Sequence, residues 1–379
     1  MRLLLIVALI FVLSCSGSAQ WQMQDSHTNA DLRGIHSIGK GVAWASGTGG
    51  TVLRTTDDGA YWQPCVTPPG AEALDFRGIQ AFDADTAIVM SSGKGDLSRL
   101  YKTTDACKTW KLVFTNPDKD GFWDAIRFGG AEGILVGDPI DGKFSVFRTK
   151  NEGLTWTRWG ITTKDDWDKE SPAKSMKDET LFAASNEAVW GFGDSAFLYV
   201  TGGASRARLI YADEGRWCTE LGVGCRIKFS SVSLPLIAGS KSAGAFAVAS
   251  RVNTFWPLKL MVVGGDYEHP DNASRNAVFL SSRDGAHFPF TSYFDVIQPA
   301  APPHGFRSAV AYDSATKTWI TVGLNGTDIS TDDGLNWRAL KPSPTDAPDA
   351  DKNWNALSLP FVVGPKGRVG RLRTEVLKP

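Results

Sequence analysis

Short apolar runs recur along this chain in pairs. Each pair is split by a glycine-bearing connection and closed by a polar phrase that ends in an aromatic residue. The clearest copy is GVAWASGTGGTVLRTTDDGAYW (residues 41–62). Comparable stretches are TAIVMSSGKGDLSRLYKTTDACKTW, EGILVGDPIDGKFSVFRTKNEGLTW, AFLYVTGGASRARLIYADEGRW, LMVVGGDYEHPDNASRNAVFLSSRDGAHF and TWITVGLNGTDISTDDGLNW, while PFVVGPKGRVGRLRT has the hairpin and stops before the phrase. Runs this short, bounded by glycine and polar clusters, predict strands rather than helices. A further strand start precedes most of them: LRGI (32–35), FRGI (76–79), WDAI (123–126), FRSA (306–309) and WNAL (354–357).

Four short strands per unit, repeated about seven times, is the pattern of an all-β, seven-bladed β-propeller. Longer intervals carry insertions, notably residues 160–179 and 222–243. The seventh unit lacks an outer strand, and QWQMQ (20–24) reads as the missing one. The N-terminal strand is therefore expected to pair with the last blade, close the ring and cover a sheet edge. Residues 20–379 then form one domain.

The polar phrase explains how the third strand of a blade reverses into the fourth. In Ser/Thr-x-Asp-x-Gly-x-x-Trp the Asp can accept hydrogen bonds from amides of its own turn, Gly tolerates positive φ, and Trp packs against the neighbouring blade. The positions are Asp57, Gly59 and Trp62; Asp105 and Trp110; Asn151, Gly153 and Trp156; and Asp332, Gly334 and Trp337. Cys107 replaces the Gly of the second copy and Asn151 the Asp of the third, while Arg283 and Phe288 stand in SSRDGAHF. Such changes suit a structural turn and not a catalytic motif.

The phrase resembles the Asp-box of BNR repeats, found in sialidases and many other propellers. A longer match, FWDAIRFGGAEGILVGDPIDGKF with LFAASNEAVW, MVVGGDYEHPDN, GFRSAVAY and NGTDISTDDGLNW, resembles bacterial relatives of the photosystem II stability/assembly factor. That resemblance runs from about residue 21 to the C-terminus and implies an exported propeller that works by binding proteins. Many bacterial members occur without photosystems, so the photosynthetic role does not travel with the fold.

Strand order assigns the faces. First-strand starts and the connections between second and third strands share the top, and the Asp-box turns share the bottom. At the top mouth this places Arg33, Arg77 and Arg307, with Asp124 and Asn355 at matching positions, and adds Asp138 from VGDP and Asp266 and Tyr267 from GGDY. Three guanidiniums would suit a carboxylate or phosphate. The competing reading is that Arg77 or Arg307 only pairs with Asp124 or Asp266 to brace the rim. Proline-bearing top connections such as CVTPPGAEALDF and DVIQPAAPPHGF fit pre-ordered docking loops and fit plain stiffening as well.

The function expected is a non-catalytic binding or assembly factor whose top face takes a protein segment or a small anion. A sialidase-like glycoside hydrolase is the alternative, with the arginines on a substrate carboxylate, Tyr267 and Asp138. Against it, no Arg-Ile-Pro stretch follows a first-strand aromatic and no Glu lies in the mouth motifs. A redox propeller, labelled oxidoreductase, is a third class. It lacks Cys-x-x-Cys-His, and the five histidines have no metal spacing, so no cofactor or metal is expected.

Composition narrows the partners. With 21% charged residues and a net charge of −1 the chain has no basic excess for nucleic acid. The start, MRLLLIVALIFVLSCSGSAQ, reads as a secretory signal spanning residues 1–19, which places the protein in a periplasmic or extracellular space. Lipidation at Cys15 would instead make an outer-membrane lipoprotein, the one route to a membrane. A monomer is expected. Four other cysteines then meet an oxidising compartment. Cys218 and Cys225, close along the chain, are the first candidate pair, and Cys65 with Cys107 is the weaker second.

Overall fold

The computed structural model describes residues 20–159, 173–191, 196–203, 205–214, 227–251, 258–282, 294–344 and 346–377. These form seven antiparallel four-stranded sheets. Their inner strands are Leu32–Gly39, Phe76–Ala81, Trp123–Gly129, Val189–Gly191, Ala243–Ser250, Ala309–Asp313 and Ala356–Ser358. Each apolar pair of the sequence is the second and third strand of one blade. Both faces of a blade pack on its neighbours, so a second strand such as Ala87–Ser91 or Thr318–Val322 is buried at every residue. That is why those strands read as unbroken apolar runs instead of alternating ones. Six buried apolar clusters fill the wedges between blades.

The ring closes as the sequence pattern predicts. Trp21–Gln24 pairs antiparallel with Val369–Leu372, Trp21 opposite Leu372, and becomes the outer strand of blade seven. Trp21 is buried against Trp354, and its Nε1 donates to Thr327 Oγ1 at 3.1 Å. Farther along the same segment, Gln24 Oε1 accepts from Trp62 Nε1 at 2.9 Å, linking the closing strand to blade one.

The four polar turns share one geometry. The hydroxyl of Thr55, Thr103, Thr149 or Ser330 donates to the residue two places on at 2.8 to 2.9 Å. It also accepts the amide of Gly59, Cys107, Gly153 or Gly334 at 3.0 to 3.2 Å. The Asp or Asn oxygen accepts the amide four residues on, at 3.0 Å in every copy. The glycine place takes positive φ throughout, including 59° at Cys107. That non-glycine residue has a specific use. Its Sγ is bonded to Cys65 beside the outer strand of blade one, a covalent link between two blades. The weaker of the two expected pairs, Cys65–Cys107, is therefore formed; the other candidate pair, Cys218 and Cys225, lies outside the described residues. Trp62, Trp156 and Trp337 are buried, and Trp110 donates to Val66 O of blade one at 2.8 Å.

The turn carboxylates titrate accordingly. The Thr109 hydroxyl and amide hold Asp105 down at about 2, against an ordinary 3.8, and outweigh its partial desolvation. A depressed carboxylate stabilises the fold above its unfolded value, and that contribution is lost as pH falls from about 4 towards about 2. Asn151 shows that an amide oxygen makes the same bonds without titrating. Asp105→Asn is therefore expected to flatten the acid limb of stability in urea titrations run across that range. An unchanged limb would show that the charge at this turn does not matter to folding.

Beneath the blades the turns also tie neighbours together. Arg371 pairs with Asp58, Lys102 with Glu152 at 3.3 Å, and Arg251 with Asp333 at 2.5 Å, each joining one blade to the polar turn of the next.

Candidate functional site

The top mouth is built from a repeated irregularity of the inner strands. Leu32 pairs with Gly47 and Gly34 with Ser46, stepping over Arg33. The same skip occurs at Arg77, between Phe76 and Gly78; at Asp124, between Trp123 and Ala125; and at Phe246, between Ala245 and Ala247. In blade seven the Asn355 amide donates to Val363 O, whose residue is already opposite Ala356. In blade six the Ser308 amide donates to Val322 O, opposite Ala309. A bulge leaves one residue out of the ladder and turns its side chain. Here all six such residues, Arg33, Arg77, Asp124, Phe246, Ser308 and Asn355, point onto the wall of one central cavity of about 450 Å³.

At five of the six bulges a glycine in or just after the second strand makes room; at Arg77 the matching residue is Ser91. A Cβ at Gly47, Gly137, Gly264, Gly323 or Gly364 would lie 2.0 to 2.4 Å from a backbone oxygen of the inner strand or its lead-in. That contact is too close for any side chain.

This register corrects the sequence reading of Arg307. FRSA aligns by eye with FRGI, but Gly323 lies against Phe306 and Arg307 as Gly47 lies against Asp31 and Leu32. Arg307 therefore matches Leu32, Phe76 and Trp123, whose side chains enter the blade, and Ser308 matches Arg33. Arg307 is wholly buried. Its Nε donates to Asp328 Oδ2 at 2.9 Å and its Nη2 to the same oxygen, while Nη1 donates to Phe306 O at 2.7 Å and to Asn325 Oδ1. Asp328, also buried, is shared with His304. Arg307 is a brace and not a mouth residue, and its partner is neither Asp124 nor Asp266.

Asp266 is a second correction. It accepts the Glu268 amide at 3.1 Å and lies 2.9 Å from His269 Nδ1, fixing its own turn outside the cavity wall. Burial alone would raise its pKa, but hydrogen bonds from Ser242, His269 and Glu268 carry it below the ordinary carboxylate range. The other six residues expected at the mouth, Arg33, Arg77, Asp124, Asp138, Tyr267 and Asn355, all line the cavity.

Their charges are organised through Asp75. Arg77 Nε donates to Asp75 Oδ2 at 2.8 Å, and Arg33 Nε lies 3.4 Å from Asp75 Oδ1. One carboxylate thus sits between two guanidiniums that each keep 30% of the side chain open. Arg77 also donates to Ala183 O at 3.2 Å. Asp124 is different in kind. It is buried, its Oδ2 has no hydrogen-bond partner, and burial together with the nearby Asp138 raises its pKa well above the ordinary value, Arg77 opposing. Asp138 is raised by burial too, though the Thr180 hydroxyl and the Leu181 amide, at 3.2 Å, donate to it.

The opposite wall is aromatic, and the sequence reading found only Tyr267 of it. Phe182 and Phe246 stack at 3.8 Å, Phe306 meets Phe246 edge-on at 4.7 Å, and Tyr267 stands across all three, 42% exposed. Phe246 was hidden because AGAFAVAS carries no polar strand start. The bulge signal, a glycine closing the second strand at Gly264, would have located it. The same signal would have moved the blade-six position from Arg307 to Ser308.

Below the mouth, blade four closes the channel. Residues 180–184 line the cavity, and the 3-10 turn Asn186–Ala188 enters the axis. Asn186 Nδ2 donates to Ile79 O of blade two at 2.6 Å. The Glu187 carboxyl, raised by burial, is held by Ser185, by Arg127 and by the Leu357 amide of blade seven. His36, on the inner strand of blade one, is kept neutral, its pKa lowered to about 3 by burial and by Arg127. The mouth is therefore the opening of a cup. Among its lining residues there is no glutamate, so the Tyr–Glu pair of the hydrolase alternative is not assembled at Tyr267.

No protein-family model matches the chain, and no curated protein matches it. Solved structures do. YCF48 from Cyanidioschyzon merolae superimposes with a TM-score of 0.58 at 17% identity, over 94% of this chain and 100% of that one. YCF48 bound to a D1 peptide gives 0.57 at 14%, over 94% and 96%. The chain shares the seven-bladed propeller fold of these structures. The WD40 propeller domain of Doa1, at 10% identity, reaches 0.56 over 95% and 99%, so the likeness to YCF48 establishes architecture and leaves chemistry to the site itself.

Proposed function

We propose that this protein is an exported, non-catalytic binding factor that holds a segment of a partner protein in the cup on its top face. The observation that carries the reading is the six-fold bulge, one backbone irregularity in each blade except the fourth, which aims side chains into a single closed-bottomed cavity. Its halves differ in chemistry, Arg33, Arg77 and Asp124 against a wall of aromatic rings, as a mixed peptide surface requires and a simple ion does not. A second cavity, with Met176, Lys177 and Asp178 on its wall, shares Asp138, Thr180 and Lys241 with the first. Together they offer a continuous path for an extended segment. A YCF48 structure with a D1 peptide bound supports a protein partner for this architecture. The apolar leader supports export, as does the Cys65–Cys107 bond, which suits an oxidising compartment. The polar turns support descent from Asp-box repeats.

The test is affinity capture from an envelope extract of the producing cell, wild type beside Arg33→Ala/Arg77→Ala. Both arginines are partly exposed, so the double variant is expected to lose no more than about 1 kcal/mol of stability, while the captured partner falls away. Capture unchanged by the substitutions would place the docking surface elsewhere.

A further inference from the structure

Among the residues lining the cup, three buried polar atoms have no hydrogen-bond partner, Arg33 Nε, Trp354 Nε1 and Asp124 Oδ2, and of these only Asp124 Oδ2 belongs to a carboxyl group. Asp124 lines the cavity but is only 1% exposed, and its buried Oδ2 has no hydrogen-bond partner. Buried polar atoms are almost always paired, and an unpaired one costs about 1–3 kcal/mol. A functional site is where such a cost persists.

Two kinds of ligand group could pair it. A cation would ask Asp124 to ionise in a place where burial and Asp138 hold its proton on, and would have to lie beside Arg33, Arg77 and Lys241. An anion meets none of these objections. It would face two guanidiniums that share a single carboxylate, Asp75, and would accept the hydrogen that Asp124 carries. Phosphate is the poorer fit, because its two charges would sit directly over Asp138. The rest of the wall is apolar: the ring cluster of Phe182, Phe246, Phe306 and Tyr267 lies across the cup from the charges.

We propose that the cup recognises a carboxylate carried next to an aromatic ring, the acidic side chain of the bound segment meeting Arg33, Arg77 and the Asp124 carboxylic acid while the neighbouring ring lies on the phenylalanine–tyrosine wall. This inference rests on the top-face docking reading and specifies its ligand. Asp124 acts as a hydrogen-bond donor to the ligand, so binding has a definite pH sense: full while Asp124 is protonated, and weakening as pH rises through its titration. The charged groups acting on Asp124 are Asp138 from its own blade and Arg77 from blade two; Arg33 and Lys241 line the same cavity, while Arg127 and Glu187 act on each other at the channel turn.

The probe is 3-phenylpropionate, with 3-phenylpropanamide as its uncharged counterpart, followed by ligand-observed NMR on the full propeller from about pH 5.5 to about pH 9.5, where the probe stays ionised. The carboxylate is expected to bind at least about tenfold tighter than the amide at the acid end, and to weaken as pH rises. Asp124→Asn, which keeps a donor of the same shape, should bind with a flat pH profile, and Asp124→Ala should lose about tenfold or more. Equal binding of probe and amide, or a pH profile that Asp124→Asn leaves unchanged, would overturn the proposal. The captured partner gives an independent control. If it still binds through Arg33 and Arg77 and 3-phenylpropionate fails to compete with it, top-face docking survives and the carboxylate inference falls.

Discussion

Arg307→Ala is expected to destabilise the propeller by about 3–5 kcal/mol, because it leaves the carboxylate of Asp328 buried without its main partner. The guanidinium gives four donor contacts: two to Asp328, one to Phe306 O and one to Asn325. All four are satisfied inside blade six, and both Arg307 and Asp328 are inaccessible to water. Urea unfolding at neutral pH should show the loss as a lower midpoint at an unchanged slope. The double variant Arg307→Ala/Asp328→Ala should recover part of it, since the unpaired charge is then gone. Arg77→Ala serves as the contrast. Its side chain is partly open and its pair with Asp75 is solvated, so about 0–1 kcal/mol is expected. A small effect at Arg307, comparable with that at Arg77, would show that Asp328 finds water or His304 instead, and that the blade-six brace is dispensable.

Trp21→Ala should cost about as much, roughly 3–5 kcal/mol, through lost burial and the cavity left behind. Trp21 is 1% exposed and packs against Trp354 within the apolar cluster shared by blades six and seven. Its indole hydrogen bond to Thr327 is lost as well. Removing residues 20–24 altogether goes further. Val369–Leu372 then becomes an unprotected edge strand, and the ring has no covalent closure to hold blade seven against blade one. Truncation should therefore lower the unfolding midpoint and produce self-association through the bare edge, visible as higher-mass species in size-exclusion chromatography with light scattering. A truncated protein that stays monomeric and keeps the wild-type midpoint would mean that the closing strand contributes little.

The two variants probe parts of the molecule with different legibility. The closing strand could be read directly: a blade short of one strand at the C-terminal end and a spare WQMQ at the start are complementary facts of the sequence. The polar turns were equally readable, because the Ser/Thr hydroxyl, the Asp or Asn oxygen and the positive-φ place are all local, within eight residues. Even the replacement of Gly by Cys107 was visible. Its reason was not, since Cys65 lies 42 residues away and belongs to another blade.

Arg307 shows where sequence alignment fails. FRGI and FRSA share two letters, and the eye registers Phe with Phe and Arg with Arg. The true register is one residue later, set by where the backbone of Gly323 presses on the inner strand. A one-residue slip in a strand exchanges inside for outside. It turned a buried brace into an apparent ligand residue and hid Ser308. Asp266 failed for a related reason: its neighbour Tyr267 does face the cup, and only the turn through Glu268 and His269 shows that the carboxylate does not.

The sequence by itself determined the repeating unit, the number of blades, the closure of the ring, the chemistry of the turns and the face on which to look for a site. These rest on contacts close along the chain or on a pattern that every blade repeats. Only the tertiary structure decided which residues meet in the cup. The aromatic wall joins blades four, five and six, the acidic and basic side joins blades one, two and three, and the channel is shut by a short turn that crosses to blades two and seven. Those meetings occur across the central axis, where the distance along the chain carries no information and a single bulge decides the direction of each side chain.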